Sequence, residues 1–124
     1  MTILHIALHC ANEKETEIFF GKVLNLKQEK EFILSSNLSN LLFNIRKDTK
    51  VKVFSANKTI FEIFITKIRP KTTFEHLCLL VQNTKDLIKR CKKYGLKILA
   101  IKRNNKNYLF IRDFSGYLYE IKER

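Results

Sequence analysis

The chain is poor in residues that break or staple a fold: its 124 residues include 1 proline, 3 glycines and 3 cysteines. So few breakers, beside 45% hydrophobic and 11% aromatic residues, exclude a low-complexity or disordered chain. The cysteines, Cys10, Cys78 and Cys91, are odd in number and lack any Cys-x-x-Cys spacing, so neither a disulfide framework nor a thiolate zinc site is indicated. A reducing cytoplasm suits them. Nowhere are there the roughly 18 uninterrupted apolar residues that span a bilayer, and Met1 to Cys10 has neither a basic n-region nor a cleavage site. The expectation is a soluble, untargeted, cytoplasmic protein with no membrane partner. Acidic residues are also scarce, 12 against 24 Lys+Arg, for a net charge of +12. An anionic ligand or nucleic acid must therefore be considered, but the basic residues are mostly lysines spread along the chain rather than a single stripe, which argues against nucleic acid.

A chain of this length makes one domain, or two very small modules sharing one core. Ile3 to Leu8 reads as a strand with Ile3, His5, Ala7 and His9 on one face. A helix follows, capped by Asn12 with Glu15 three residues on, and carrying an apolar stripe of Thr16, Phe19, Phe20 and Val23. Three strands are expected next, at Leu26 to Phe32, Leu41 to Ile45 and Thr59 to Ile68, with a polar loop at Arg46 to Lys50 and a turn at Ser55-Ala56-Asn57. After a short linker, Arg69 to Thr73, the order begins again. Phe74 to Val81 is a strand, Asn83 caps a helix with the stripe Leu87, Ile88, Cys91 and Tyr94, and Gly95 closes it. Strands at Lys97 to Ile101, Tyr108 to Arg112 and Tyr117 to Lys122 complete the chain. The pattern is β-α-β-β-β twice, in the α+β class, with one module over about 1–69 and a second over about 74–124 of a single domain. Equivalent positions support a repeat: His5 with His76, Leu8 with Leu79, Asn12 with Asn83, and Glu15 with Asp86.

Four residues interrupt otherwise apolar strands: His5 in LHIAL, Glu62 in IFEIF, His76 in FEHLCL and Glu120 in YLYEI. An ionised carboxylate set among apolar neighbours costs several kcal/mol unless a cation or a protonated partner offsets it. Two imidazoles and two carboxylates, one of each from the first and last strands of each half, would bind a divalent metal as an N2O2 set with positions left for substrate. Each residue taken singly has an ordinary reading, a hydrogen-bonded histidine or a carboxylate paired with one of the many lysines. Their equivalence in the two halves is what favours the metal. His9 and Cys78 share the same faces by strand alternation and could contact substrate, although Cys78 reads more readily as a small buried core residue.

Three segments resemble the vicinal oxygen chelate superfamily, which includes glyoxalase I, methylmalonyl-CoA epimerase, fosfomycin-resistance enzymes, extradiol dioxygenases and bleomycin-binding proteins. They are HIAL before a helix ending in FFGKVLNLK, FEHLCLLV before the second helix, and the closing RDFSGYLYEIKE, which looks like the family's Asp-x-x-Gly-x-x-x-Glu ending at Asp113, Gly116 and Glu120. The resemblance implies two tandem βαβββ modules forming a cupped mixed sheet with helices on the outer face. It also implies that the metal ligands of glyoxalase I fall on His5, Glu62, His76 and Glu120. In that mechanism the metal chelates two adjacent oxygens of a small substrate and stabilises an enediolate while a glutamate moves a proton; Glu120 would take the role of base, with Glu62 the other candidate. Zinc, nickel, cobalt, manganese or iron would suit such a site.

The first strand lacks the arginine that glutathione-using members commonly carry near the position of His9, which speaks against glutathione. Such small members typically dimerise, often with the metal held between subunits, so a homodimer is expected. A metal-dependent lyase or isomerase of the glyoxalase I-like type is thus the leading reading. The alternative is a non-catalytic protein that binds an antibiotic or metabolite, as the bleomycin-binding members do, although those usually lack the full ligand set.

Overall fold

A computed structural model describes every residue from Met1 to Arg124, and the chain divides into two units, Met1–Ile68 and Arg69–Arg124. The first unit begins with β1 (Ile6–Cys10), whose parallel ladder with β4 (Thr59–Ile65) starts at Ile6 opposite Phe61. The expected strand thus begins and ends later than its apolar pattern suggests, and Ile3 and Leu4 are exposed. Asn12 caps α1 (Glu13–Thr16) by accepting the Glu15 N–H at 2.8 Å, while its side-chain amide donates to the Glu15 carboxylate at 2.9 Å. The first bond satisfies one of the N–H groups that a helix start leaves without partners, and the second ties the two side chains together. The helix then widens into a π-helical segment, Glu17–Val23, closed by the Leu24 N–H donating to the Phe19 carbonyl. Thr16, Phe19, Phe20 and Val23 are all buried, as their spacing requires, and the Phe20 ring packs on Phe54 and Phe61 at 5.6 and 5.5 Å.

Strand β2 (Lys27–Leu34) pairs antiparallel with β3 (Thr49–Ala56), which pairs antiparallel with β4, giving the order β1-β4-β3-β2. Two expectations fail between β2 and β4. Leu41 to Ile45 is not a strand: Leu41 to Phe43 lie in a helix, α2 (Ser36–Phe43), and the third strand runs from Thr49 instead. The Ser35 hydroxyl caps α2 through the Leu38 N–H, Asp48 accepts the Ser36 N–H at 2.7 Å, and Asn44 at φ 57° ends it in the left-handed region. Five consecutive residues of mixed apolarity fit either period, and here capping decides. The β3–β4 turn is made by Asn57, at φ 56°, and Lys58, between Ala56 and Thr59.

On the helix-facing side of this sheet, the Lys52 side chain is buried yet charged. Its Nζ lies 2.7 Å from Glu17 and 3.4 Å from Glu13, and Lys50 reaches Glu13 at 2.8 Å. Burial would lower the Lys52 pKa, but the hydrogen bonds and charges of Glu17 and Glu13 outweigh it and hold the ammonium above its ordinary value. Phe61 and Ile63 point to this same side, so strand alternation turns Glu62 and Phe64 to the opposite face.

The second unit repeats the order. It comprises β5 (Leu77–Val81), α3 (Thr84–Lys93), β6 (Ile98–Arg103), β7 (Lys106–Arg112) and β8 (Leu118–Glu123), arranged β5-β8-β7-β6. Phe74 lies outside β5 and is fully exposed, another trimming of an expected strand. Asn83 caps α3 through the Asp86 N–H, Leu87 and Cys91 are buried, and Gly95 takes φ 71° just past its end, where a side chain would be strained. The β6–β7 turn is Asn104-Asn105, both with positive φ, as a tight hairpin demands. The equivalent connection in the first unit is residues 35–48, so α2 is an insertion present in one module only.

Candidate functional site

Each unit sets one imidazole beside one carboxylate, at the same place in its sheet. In the first, β1 and β4 put Ala7 opposite Glu62, and His5, two residues earlier on the same face, brings Nε2 to 3.5 Å from Glu62 Oε1. In the second, β5 and β8 put Cys78 opposite Glu120, and His76 Nε2 lies 3.6 Å from Glu120 Oε2. The side chains of His5 and His76 are 49% and 40% exposed, those of Glu62 and Glu120 24% and 20%. Both carboxylates are therefore reachable by solvent, less enclosed than their apolar flanks suggest. The two donors of each pair are too far apart for a strong hydrogen bond. They match the spacing of ligands on one ion, since donors about 2.1 Å from a common centre and about 110° apart lie about 3.4 Å from each other.

The His76 ring has a second contact that matters. Its Nδ1 lies 2.9 Å from the Phe74 carbonyl oxygen, which can only accept, so Nδ1 carries the proton. In neutral imidazole this leaves the Nε2 lone pair towards the carboxylate, an arrangement that calls for a cation or a second proton between them. The Phe110 ring packs edge-on against His76 at 6.4 Å. The other oxygen of Glu120 is engaged by Lys122 Nζ at 3.2 Å.

Glu120 owes its position to the turn before it. Asp113 Oδ1 accepts the N–H groups of Ser115, Gly116 and Tyr117 at 3.0, 2.9 and 3.0 Å, and Oδ2 accepts the buried Tyr119 hydroxyl at 2.8 Å. Arg112 donates to the Gly116 carbonyl at 2.7 Å, and Gly116 holds φ 101°. Burial pushes the Asp113 pKa up, and the four hydrogen bonds only partly counter it. With Tyr119 anchored inward, alternation turns Glu120 to the opposite face.

Of the expected four, His5 stands beside Glu62 in the first unit and His76 beside Glu120 in the second. His9 belongs to neither pair; it lines a cavity within the first unit, where burial lowers its pKa against a hydrogen bond with the Ile68 backbone. Cys78 is exposed beside Glu120, and Cys10 and Cys91 are the buried thiols. The residues that sequence reasoning missed are those α2 brings to the cavity, Ser39 and Phe43. Their signal was the i, i+4 spacing behind a serine cap.

No protein-family model matches the chain, and no curated protein does either. Solved structures do match. A glyoxalase family protein from Bacillus cereus aligns with TM-score 0.78 at 11% identity over 98% of this chain and 92% of its own. The fosfomycin resistance protein FosX from Listeria monocytogenes, a variant complexed with Mn(II) and a dihydroxypropylphosphonic acid, aligns with TM-score 0.77 at 16% identity over 98% and 90%. The trypanothione-dependent glyoxalase I of Leishmania major gives 0.73 at 14% over 99% and 86%. The chain has the vicinal oxygen chelate fold. At such identities the likeness is one of fold, and residue roles must be argued from the two pairs themselves. No helix is long and apolar enough to cross a membrane.

Proposed function

We propose that this chain is a metal-dependent enzyme, a lyase or isomerase of the glyoxalase I-like type acting on a small substrate with two adjacent oxygens, and that His5, Glu62, His76 and Glu120 hold its divalent ion. The observation that carries this reading is the duplication of one imidazole–carboxylate pair at ligand spacing, on equivalent strands of two modules. A structural ion pair explains one such pair; it gives no reason for the second to recur at the same register. Each module supplies two ligands, so a full set requires two modules. A homodimer would supply such a set, with His5 and Glu62 of one protomer facing His76 and Glu120 of the partner subunit.

When bound, the ion would chelate the two substrate oxygens and stabilise negative charge developing on them. The protein's own part is proton movement and positioning. Glu120, braced by the Asp113 turn and partly exposed, is the base, and Glu62 is its counterpart in the other module. The Phe74 carbonyl fixes the His76 tautomer. The net charge of +12 favours an anionic or dicarbonyl substrate over a cationic one.

The test is metal analysis of purified protein, with thermal unfolding before and after adding Mn, Zn, Ni, Co or Fe(II). One ion per site is expected, lost in His5→Ala and Glu120→Gln, with about 2.7 kcal/mol of stabilisation at a hundredfold excess over Kd. Protein that carries no ion, and melts at the same temperature with every ion added, refutes the proposal. A non-catalytic binding protein would keep ligand affinity in Glu120→Gln and show no turnover with any ion.

A further inference from the structure

Within the first unit, on the face that bears Glu62, α2 roofs a cavity of about 590 Å3. Its floor is strand: Ala7 and His9 on β1 and Phe64 on β4. Its roof is Ser39 and Phe43, the Phe43 ring standing edge-on to Phe64 at 5.8 Å. The volume is that of an organic ligand's pocket rather than a packing defect, which is typically little larger than a water molecule. The lining is mostly apolar, with two exposed lysines, Lys47 and Lys67, and no acidic residue. Ala7, which lines the cavity, is the strand partner of Glu62, so the cavity opens beside that half of the proposed site. The second module has no such roof, because Asn104-Asn105 replaces the whole α2 segment.

We propose that this cavity is a specificity subsite for an organic anion with an apolar alkyl or aryl body, the body lying between Phe43 and Phe64 and the anionic group meeting Lys47 and Lys67. Charge complementarity selects the anion: two lysines and no carboxylate among the lining residues make the fixed charge around the cavity positive. The apolar walls select the body, since a fully hydrated ion gains nothing from Phe43, Phe64 or Leu8. Recognition by this subsite stands apart from the ion; only its bearing on turnover rests on the metal-enzyme reading above.

The experiment is calorimetric titration of EDTA-treated protein with naphthoate, and with naphthamide as its neutral counterpart. Naphthoate binds saturably, one per chain, and naphthamide about tenfold more weakly, the preference vanishing in the double variant Lys47→Gln, Lys67→Gln. Ser39→Leu, which fills the roof, abolishes naphthoate binding, and Ala7→Phe does the same from the floor should the buried Ser39 site not tolerate leucine. Leu41→Ser, on the exposed side of α2, leaves binding unchanged. The proposal is overturned if naphthoate does not saturate, if naphthamide binds equally well, or if the folded filling variants bind as the parent does. Because the titration contains no metal, naphthoate binding without metal uptake would sink only the enzyme reading, and metal uptake without naphthoate binding only this one.

Discussion

Replacing Asp113 by alanine removes the acceptor for three backbone N–H groups and for the buried Tyr119 hydroxyl, all within 3.0 Å. A hydrogen bond to a charged group contributes about 1.5–3 kcal/mol, and a buried donor left without its acceptor costs about 1–3 kcal/mol. The four share one carboxylate and do not add. Burial of that carboxylate, visible in its raised pKa, offsets part of the gain. The net expectation is a loss of about 3–5 kcal/mol for Asp113→Ala. Asp113→Asn keeps one acceptor oxygen, and Tyr119→Phe removes one bond of the four, so each should cost about 1–2 kcal/mol. Urea unfolding followed by circular dichroism measures all three. For a chain of this size Asp113→Ala should also lower Tm by about 4 °C per kcal/mol. Since the turn sets where β8 begins, metal retention through Glu120 should fall more in the alanine variant than in the asparagine one. A raised carboxyl pKa means the folded protein binds the proton more tightly than the unfolded chain. Its contribution therefore falls as pH rises from 3.8 through the raised value, and Asp113→Asn removes that slope. The reasoning is refuted if Asp113→Ala costs under about 1 kcal/mol, or if Tyr119→Phe costs as much as Asp113→Ala.

Gly116→Ala should cost about 1–3 kcal/mol from backbone strain alone, because φ 101° excludes a side chain even though nothing lies within 4 Å of the added carbon; equal stability to the parent in urea would contradict this. Lys52→Ala should lose about 2 kcal/mol in chemical unfolding, since its buried stem and its bonds to Glu17 and Glu13 go together, with the half-exposed carboxylates limiting the loss. The same cluster predicts a pH profile. Glu13, held low chiefly by its hydrogen bond from Lys50, contributes fully above 4.5 and loses that contribution as pH falls through its lowered pKa. Lys50, raised chiefly by its hydrogen bond to Glu13, and Lys52, raised despite burial, contribute fully below 10.5 and fade as pH climbs through their raised values. Tm scans of the parent and a Glu13→Gln variant across both windows check this. Replacing residues 35–48 by an Asn-Asn turn should leave the second unit intact and abolish naphthoate binding, as read by circular dichroism and calorimetry.

The equivalence of the two imidazole–carboxylate positions was legible in the sequence. A histidine two residues ahead of a small residue on the opening strand, and a glutamate on the closing strand, recur in both halves, and the ladders then set Ala7 against Glu62 and Cys78 against Glu120. The helix starts were legible too, because capping is local: Asn12 and Asn83 act within three residues of themselves. Where the reading failed, a longer-range partner decided. Leu41 to Phe43 has no period of its own, and its helix is held by the Ser35 cap, by Asp48 reaching back to Ser36, and by Phe43 meeting Phe64.

Sequence by itself determined the repeat of two similar modules, the apolar stripe of the first helix and the identity of the two imidazole–carboxylate pairs, because period, caps and residue type are properties of short stretches of chain. Only the tertiary structure decided how close each pair stands, that Lys52 is buried among carboxylates, and that an inserted helix closes a cavity beside Glu62. Those depend on strand register and on side chains from distant segments meeting, which no local pattern encodes.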